Sequence, residues 1–343
     1  MKGVILSWVA FFALSYSLTE TLVARKTSAA TAPEVTLEKI KEAAHKEGGL
    51  MWYESSPENQ FTKVEAAFNK RYPKIKLEQV RLRGADIGTR IIAESQANAP
   101  TADVGTSGLE ILLPLDERGL LMKSHWTELG IPQKLVATPY ALISMASIYC
   151  MNYNTKLVSE AEAPKKWEDL LNPKWKGKIG LWQKPSALAL LAPVWGEERT
   201  LGFAKKLAEQ KPVFYQSSFP LNDAVAAGEI SVGITIYHTL SAALAKGAPL
   251  KLVFADPTPY EPLCSAIPVK SPHPNAAKLF VAWLLSLEGS AAYERATFRG
   301  NPWIEGTEAH KLLSGKKLSS FTPEQSKDFA DISKKLERIL VAR

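Results

Sequence analysis

Short apolar strands alternate with amphipathic helices from Leu50 to Val104, and no other feature of the chain restricts its fold so tightly. Leu50–Tyr53 reads as a strand. Phe61, Val64, Phe68 and Tyr72 then recur at helical spacing as far as Pro73, and Ile75–Val80 is the next strand. Ile87 and Ile91 lie one helical turn apart behind Asp86, the expected N-cap. Asp103-Val104 adds a third strand, and a helix over Thr36–Lys46, stopped by Gly48-Gly49, precedes them all. Such alternation predicts a parallel sheet covered by helices.

A second alternation follows a long extended segment, Leu142–Asn154. Lys178–Trp182 reads as a strand, Ala187–Trp195 as a helix, Gly228–Ile234 as a helix exit and strand, and Lys251–Phe254 as a further strand. Ser265–Val269 is then a strand and Asn275–Leu287 a helix. Near the end, Thr322-Pro323-Glu324-Gln325 has capping-box spacing with Pro at the first helical position. Phe329, Ile332, Leu336 and Ile339 continue it as one apolar stripe, the pattern of core packing.

With 343 residues, 46% hydrophobic and 22% charged, the chain has material for about two domains at ~150 residues each. A formal charge of +7 is spread without basic blocks, which argues against nucleic-acid binding and for a mild field that attracts small anions. Lys2, the apolar run Val4–Leu14 and the small or polar Ser15, Ser17 and Thr19 have the layout of a secretory signal peptide, too short to span a bilayer. The leader is expected over residues 1–24, with cleavage placed between 17 and 32, so the mature protein is expected in the periplasm. Only Cys150 and Cys264 are present; export permits a disulfide between them, and two free buried thiols are the alternative.

Three stretches carry a resemblance. The first is Gly48–Leu121. The second runs from Pro164-Lys165-Lys166-Trp167-Glu168-Asp169-Leu170-Leu171 through Asn172-Pro173-Lys174-Trp175-Lys176-Gly177-Lys178-Ile179. The third is the ending Ser286-Leu287-Glu288-Gly289. Together they resemble the periplasmic solute-binding proteins of ABC importers, in the branch of ferric-ion, thiamine, phosphonate and sugar-phosphate binders. The resemblance covers about residues 50–289. It implies an α/β two-lobe type II periplasmic-binding-protein fold, each lobe a mostly parallel sheet flanked by helices. The first lobe would hold residues 33–142 and 265–305, the second residues 143–264, with residues 306–343 a C-terminal helical segment packing on the lobes. Extended crossovers near residues 138–148 and 256–266 would form the hinge. The implied role is capture of a small solute by hinge closure and delivery to an ABC permease of the inner membrane, by a monomer with no cofactor and no nucleic-acid partner.

Ligands of open α/β sheets sit beyond the carboxyl ends of the strands, where helix N-termini favour anions. Tyr53, Ser55 and Ser56 follow the first strand, and Thr106 and Ser107 follow the third. Arg81 and Arg83 share a face after the second strand, and Arg83 is the expected anion partner. In the second half, Lys184 and Ser186 follow one strand, Gln216-Ser217-Ser218 occupies a similar position, and Tyr237 and His238 follow Ile230–Ile234. The same Ser and Thr residues could serve as helix caps alone.

Ferric receptors of the resembled branch use a tandem tyrosine pair with a histidine and a glutamate. Here His238 replaces the second tyrosine, and Pro57 and Gly108 stand about where the other two ligands would fall. A small organic or phosphorylated anion is therefore the expected solute, and no metal site is expected. A ferric receptor with variant ligands, a sensing module for a membrane sensor and a secreted hydrolase stay open as alternatives. Against the last, the chain has no GxSxG, HExxH or P-loop spacing, and its five histidines are scattered.

Overall fold

The computed structural model describes residues 32–340. The expected leader, residues 1–24, lies outside the described residues. The first half contains α1 (Ala32–Glu47), β1 (Gly49–Glu54), α2 (Glu58–Arg71), β2 (Lys76–Arg81), α3 (Ala85–Gln96), β3 (Val104–Ser107) and α4 (Leu109–Asp116). β4 (Val136–Thr138) and the long β5 (Ala141–Asn154) lead into β6 (Ile179–Trp182), α5 (Ser186–Ala189), α6 (Ala192–Trp195), α7 (Glu197–Glu209) and β7 (Val213–Tyr215). Next come α8 (Ser218–Ala227), β8 (Val232–Ile236), α9 (Tyr237–Leu244), β9 (Leu250–Val253) and β10 (Thr258–Ala266). The chain ends with α10 (Pro274–Leu284), α11 (Leu287–Thr297), α12 (Glu308–Leu313), β11 (Leu318–Ser319) and α13 (Ser326–Leu340).

Eleven strands join in one curled sheet, with the main order β2-β1-β3-β10-β5-β8-β6-β7. β1 runs parallel to both β2 and β3, and β6 runs parallel to both β7 and β8. Between these two parallel trios stand β10 and β5, antiparallel to each other and to their outer neighbours. β5 is the common spine. It pairs with β10 as far as Ile148 and with β8 from Tyr149 onward. At about 3.3 Å per residue its 14 residues extend for roughly 45 Å, enough to serve both lobes.

Each trio builds its own core. Trp52, Phe68, Phe280, Trp283 and Tyr293 form one aromatic nucleus, with Trp52–Phe280 ring centroids 4.9 Å apart and Phe68–Phe280 at 5.2 Å, both edge-to-face. Trp167, Leu181, Phe203, Leu207 and Val232 anchor the other. Ile332, Leu336 and Leu340 of α13 are buried in that second core, with Phe329 and Ile339 against it, so the C-terminal stripe packs on the second lobe. α12 instead covers the spine, where Ala309 and Leu313 meet Ala146 and Ile148.

Several local expectations are corrected. The helix expected over Ala187–Trp195 is two short ones, α5 and α6, because Pro193 lacks the N–H that a continuous helix requires and fits only a first turn. Asp86 lies inside the first turn of α3, and Gly84 holds the N-cap with φ +48°. The helix expected over Asn275–Leu287 ends at Leu284, and Ser286 caps the next one by accepting from the Gly289 amide. Cys150 and Cys264 are both free, each buried in a different cluster, and burial pushes both thiols up.

Candidate functional site

A cavity of about 460 Å³ opens where the two parallel trios face each other across β5 and β10. From the first lobe it is lined by Ser55, Ser56 and Pro57 after β1, Gln60 in α2, Arg81 at the end of β2, and Arg83 and Gly84 after it. The second lobe supplies Trp182 at the end of β6, Ser217, Ser218 and Phe219 at the start of α8, and Ile236, His238 and Thr239 at the start of α9. Ser147, Tyr149, Glu261 and Leu263 form the floor on the two crossover strands, with Thr297 at the end of α11 and Arg299 beyond it.

Four helices begin on this cavity: α2, α3, α8 and α9. Their N-cap residues Pro57, Gly84, Ser217 and Ile236 all line it, and none makes a side-chain cap hydrogen bond. Elsewhere α4, α7 and α10 also lack a side-chain cap, whereas α11 and α12 have one, so what sets the four at the cavity apart is that they converge on one space. Ser286 accepts from the Gly289 amide and Thr307 from the His310 amide. Helix N-termini carry partial positive charge and unpaired N–H groups, so four uncapped ones around one space favour an anion. Three arginines add to that field, and Glu261 is the one acidic residue of the lining.

Arg299 is half-buried. Its Nη2 donates to His238 Nε2 at 3.1 Å, while its Nε has no hydrogen-bond partner. Burial, and then the Arg299 charge, hold the His238 imidazole well below its usual value of 6.5. The ring is therefore neutral and Nε2 is free to accept. Its neutral form contributes stability that is complete above about 6.5, the unfolded value, and is lost as pH falls below it. His238→Gln is expected to flatten the loss of thermal stability between pH 6.5 and 5, as melting curves across that range would read.

Glu54 ends β1 beneath the cavity, only 2% exposed. It accepts from the Ser56 amide at 2.7 Å and from the Gln79 side chain. Burial raises its pKa, while the Ser56 bonds and the Arg299 charge act against the rise. Ser56 Oγ meets Tyr293 Oη at 3.2 Å, which fixes the turn that carries Ser55 and Ser56 to the cleft.

Of the residues singled out from sequence, Ser55, Ser56, Arg83 and His238 line this cavity together. Lys184 lines a much smaller neighbouring cavity, and Ser186 lies against the Tyr149 phenol. The other four point elsewhere. Tyr53 is buried, donates to Glu94 at 2.7 Å and carries the Arg90 guanidinium on its ring. Thr106 accepts from the Trp52 indole and bonds Ser265, both at 2.8 Å, as part of a hydroxyl chain that crosses the sheet. Ser107 is buried in the β3–β10 ladder opposite Cys264. Tyr237 packs on Phe254, with ring centroids 5.8 Å apart. Sequence reasoning missed Gln60, Tyr149, Trp182, Phe219, Glu261, Thr297 and Arg299. Glu261 did leave a trace, as a lone charge two residues before Leu263 in an extended run.

Comparison with known proteins agrees with this architecture. The sequence model of the bacterial extracellular solute-binding protein family matches residues 54–291. An uncharacterised protein of Haemophilus influenzae is 28% identical over 268 residues, spanning 73% of this chain and 76% of that protein. Among solved structures, iron-bound HitA from Pseudomonas aeruginosa is similar at TM-score 0.69 and 21% identity, over 84% of this chain and 99% of that one. AfuA from Actinobacillus pleuropneumoniae, a periplasmic binding protein with exogenous fructose-6-phosphate bound, is similar at TM-score 0.68 and 24% identity, over 86% and 99%. Trichodesmium IdiA (FutA), in complex with iron and citrate, is similar at TM-score 0.70 and 22% identity, over 85% and 99%.

Proposed function

The chain belongs to the family of bacterial extracellular solute-binding proteins, and we propose that its solute is a small organic anion, phosphorylated in the simplest case. The carrying observation is the set of four uncapped helix N-termini and three arginines around one cavity. Serine hydroxyls at Ser55, Ser56, Ser217 and Ser218 add neutral donors for anionic oxygens. Trp182 and Phe219, the latter 54% exposed, offer apolar faces to an organic body.

In this reading the protein is exported and works as a monomer. Residues 33–142 with 265–305 and residues 143–264 act as two lobes, hinged where β5 changes partner between Ile148 and Tyr149. Solute binds both lobes in the closed form only, so binding shifts the population toward closure, and the closed form is what an ABC permease engages.

Bare ferric ion is the poorer fit on donor chemistry. It calls for several anionic oxygen donors, whereas the cavity lining offers one glutamate, one tyrosine and one histidine among three arginines. Among the described residues, no group of three or more His, Cys, Asp or Glu side chains converges on a point that could hold a metal. Native mass spectrometry of freshly purified protein, with elemental analysis of the same sample, tests this directly. An added mass of a small anion without iron is expected; stoichiometric iron would overturn the reading.

A further inference from the structure

The cavity floor holds a single carboxyl group in an otherwise cationic and hydroxyl-rich lining. Glu261 stands on β10 opposite Ser147 of β5, and the Tyr149 phenol donates to its Oε2 at 3.2 Å. Ser147, Tyr149 and Glu261 all open on the same space as Arg299. The titratable groups that face Glu261 come from four other elements: Glu110 of α4, Tyr149 of β5, Lys184 in the loop after β6, and Arg299 beyond α11. Burial, with the Glu110 charge behind it, pushes the Glu261 carboxyl up to about 7, against the pull of Tyr149, Arg299 and Lys184.

An ionised carboxylate on the floor would repel the anion that the rest of the lining attracts, and a neutral acid would not. With Oε2 engaged by Tyr149, Oε1 is the oxygen left to carry a proton toward the solute. We propose that Glu261 is the acid of the cleft: it donates a hydrogen bond from Oε1 to an anionic oxygen of the solute, and capture takes up one proton there. The proton comes from solvent and forms the Oε1–H bond, and no covalent bond of the solute is broken. This inference rests on the anion reading and adds a pH dependence to it. A bound anion raises the carboxyl further, so affinity is level below about pH 7 and falls above it, toward tenfold per pH unit.

Fructose 6-phosphate is a suitable probe because a phosphate ester loses its second proton near pH ~6, so its charge is constant from about pH 7 to 9. Calorimetry over that range, in buffers of different ionisation enthalpy, reads affinity and proton uptake together. Wild-type protein is expected to lose affinity toward tenfold per pH unit and to take up nearly one proton at about pH 8. Glu261→Gln should show a flat profile with no uptake. Tyr149→Phe removes the bond that favours the carboxylate, so the affinity loss should begin at higher pH. Equal pH slopes in wild type and Glu261→Gln would overturn the proposal while leaving the anion reading intact. Flat wild-type binding that Glu261→Gln abolishes would also overturn it, since the group would then serve as an ionised acceptor. No wild-type binding of fructose 6-phosphate, inorganic phosphate or sulfate at any pH would overturn the anion reading and this inference with it.

Discussion

Arg299→Ala is expected to weaken binding of an anionic solute about a hundredfold, ~3 kcal/mol, when fructose 6-phosphate is titrated against tryptophan fluorescence at neutral pH. The effect is large because Arg299 is the half-buried cation of the cleft. Arg81 and Arg83 are exposed, and water screens them more fully. The Arg299 Nε is buried without a hydrogen-bond partner, so that donor is not committed to another residue. Arg299→Lys should fall between wild type and Ala, since it keeps the charge and loses the planar fork. A second readout separates this from simple misfolding. Arg299 is one of the two causes that hold His238 down, so the imidazole should titrate at higher pH in Arg299→Ala while the melting transition stays cooperative. Unchanged affinity with a shifted His238 would show that Arg299 touches the histidine and not the solute.

The strand–helix alternation was legible because period is a local property, and β1, β2, β6 and β8 all appear close to where apolar runs place them. Ser55, Ser56 and Arg83 were legible for a related reason. They follow strand ends, and strand ends in parallel sheets open on the cleft. The same rule chose Thr106 and Ser107, which instead lie buried because β10 pairs beside β3, and Ser265 of β10 takes up the Thr106 hydroxyl. A strand arriving from more than 150 positions downstream leaves no mark on the local pattern. Tyr149, Glu261 and Arg299 were illegible for that reason too. They meet only when β5, β10 and the end of α11 converge, and Arg299 follows Phe298, whose φ of +61° turns the chain out of the helix. Breaks such as α5–α6 were missed because proline position within a helix decides them, and apolar periodicity alone does not report it.

Asp103→Ala is expected to cost the protein much of its stability while leaving the cleft intact. Asp103 is fully buried, and its carboxylate accepts from the Met51 amide at 2.7 Å, Ser271 Oγ at 2.6 Å, the His273 amide at 2.8 Å and His273 Nδ1 at 3.0 Å. One side chain thus ties the start of β1 and β3 to the loop that launches α10. Alanine leaves the Met51 amide without this acceptor, at about 1–3 kcal/mol, leaves the His273 amide only its longer 3.3 Å bond to Ser271 Oγ, and removes the bonds from Ser271 and His273 Nδ1 as well. A total near ~4 kcal/mol would lower the melting temperature by roughly 10 °C for a chain of this size. Asp103→Asn should lose less, because its amide oxygen can still accept from one of the two backbone donors. Solute affinity should stay within about twofold in both variants at temperatures well below melting, because Asp103 takes no part in the cavity lining. A melting temperature within about 2 °C of wild type for Asp103→Ala would mean that water replaces the carboxylate and that this junction does not hold the first lobe together.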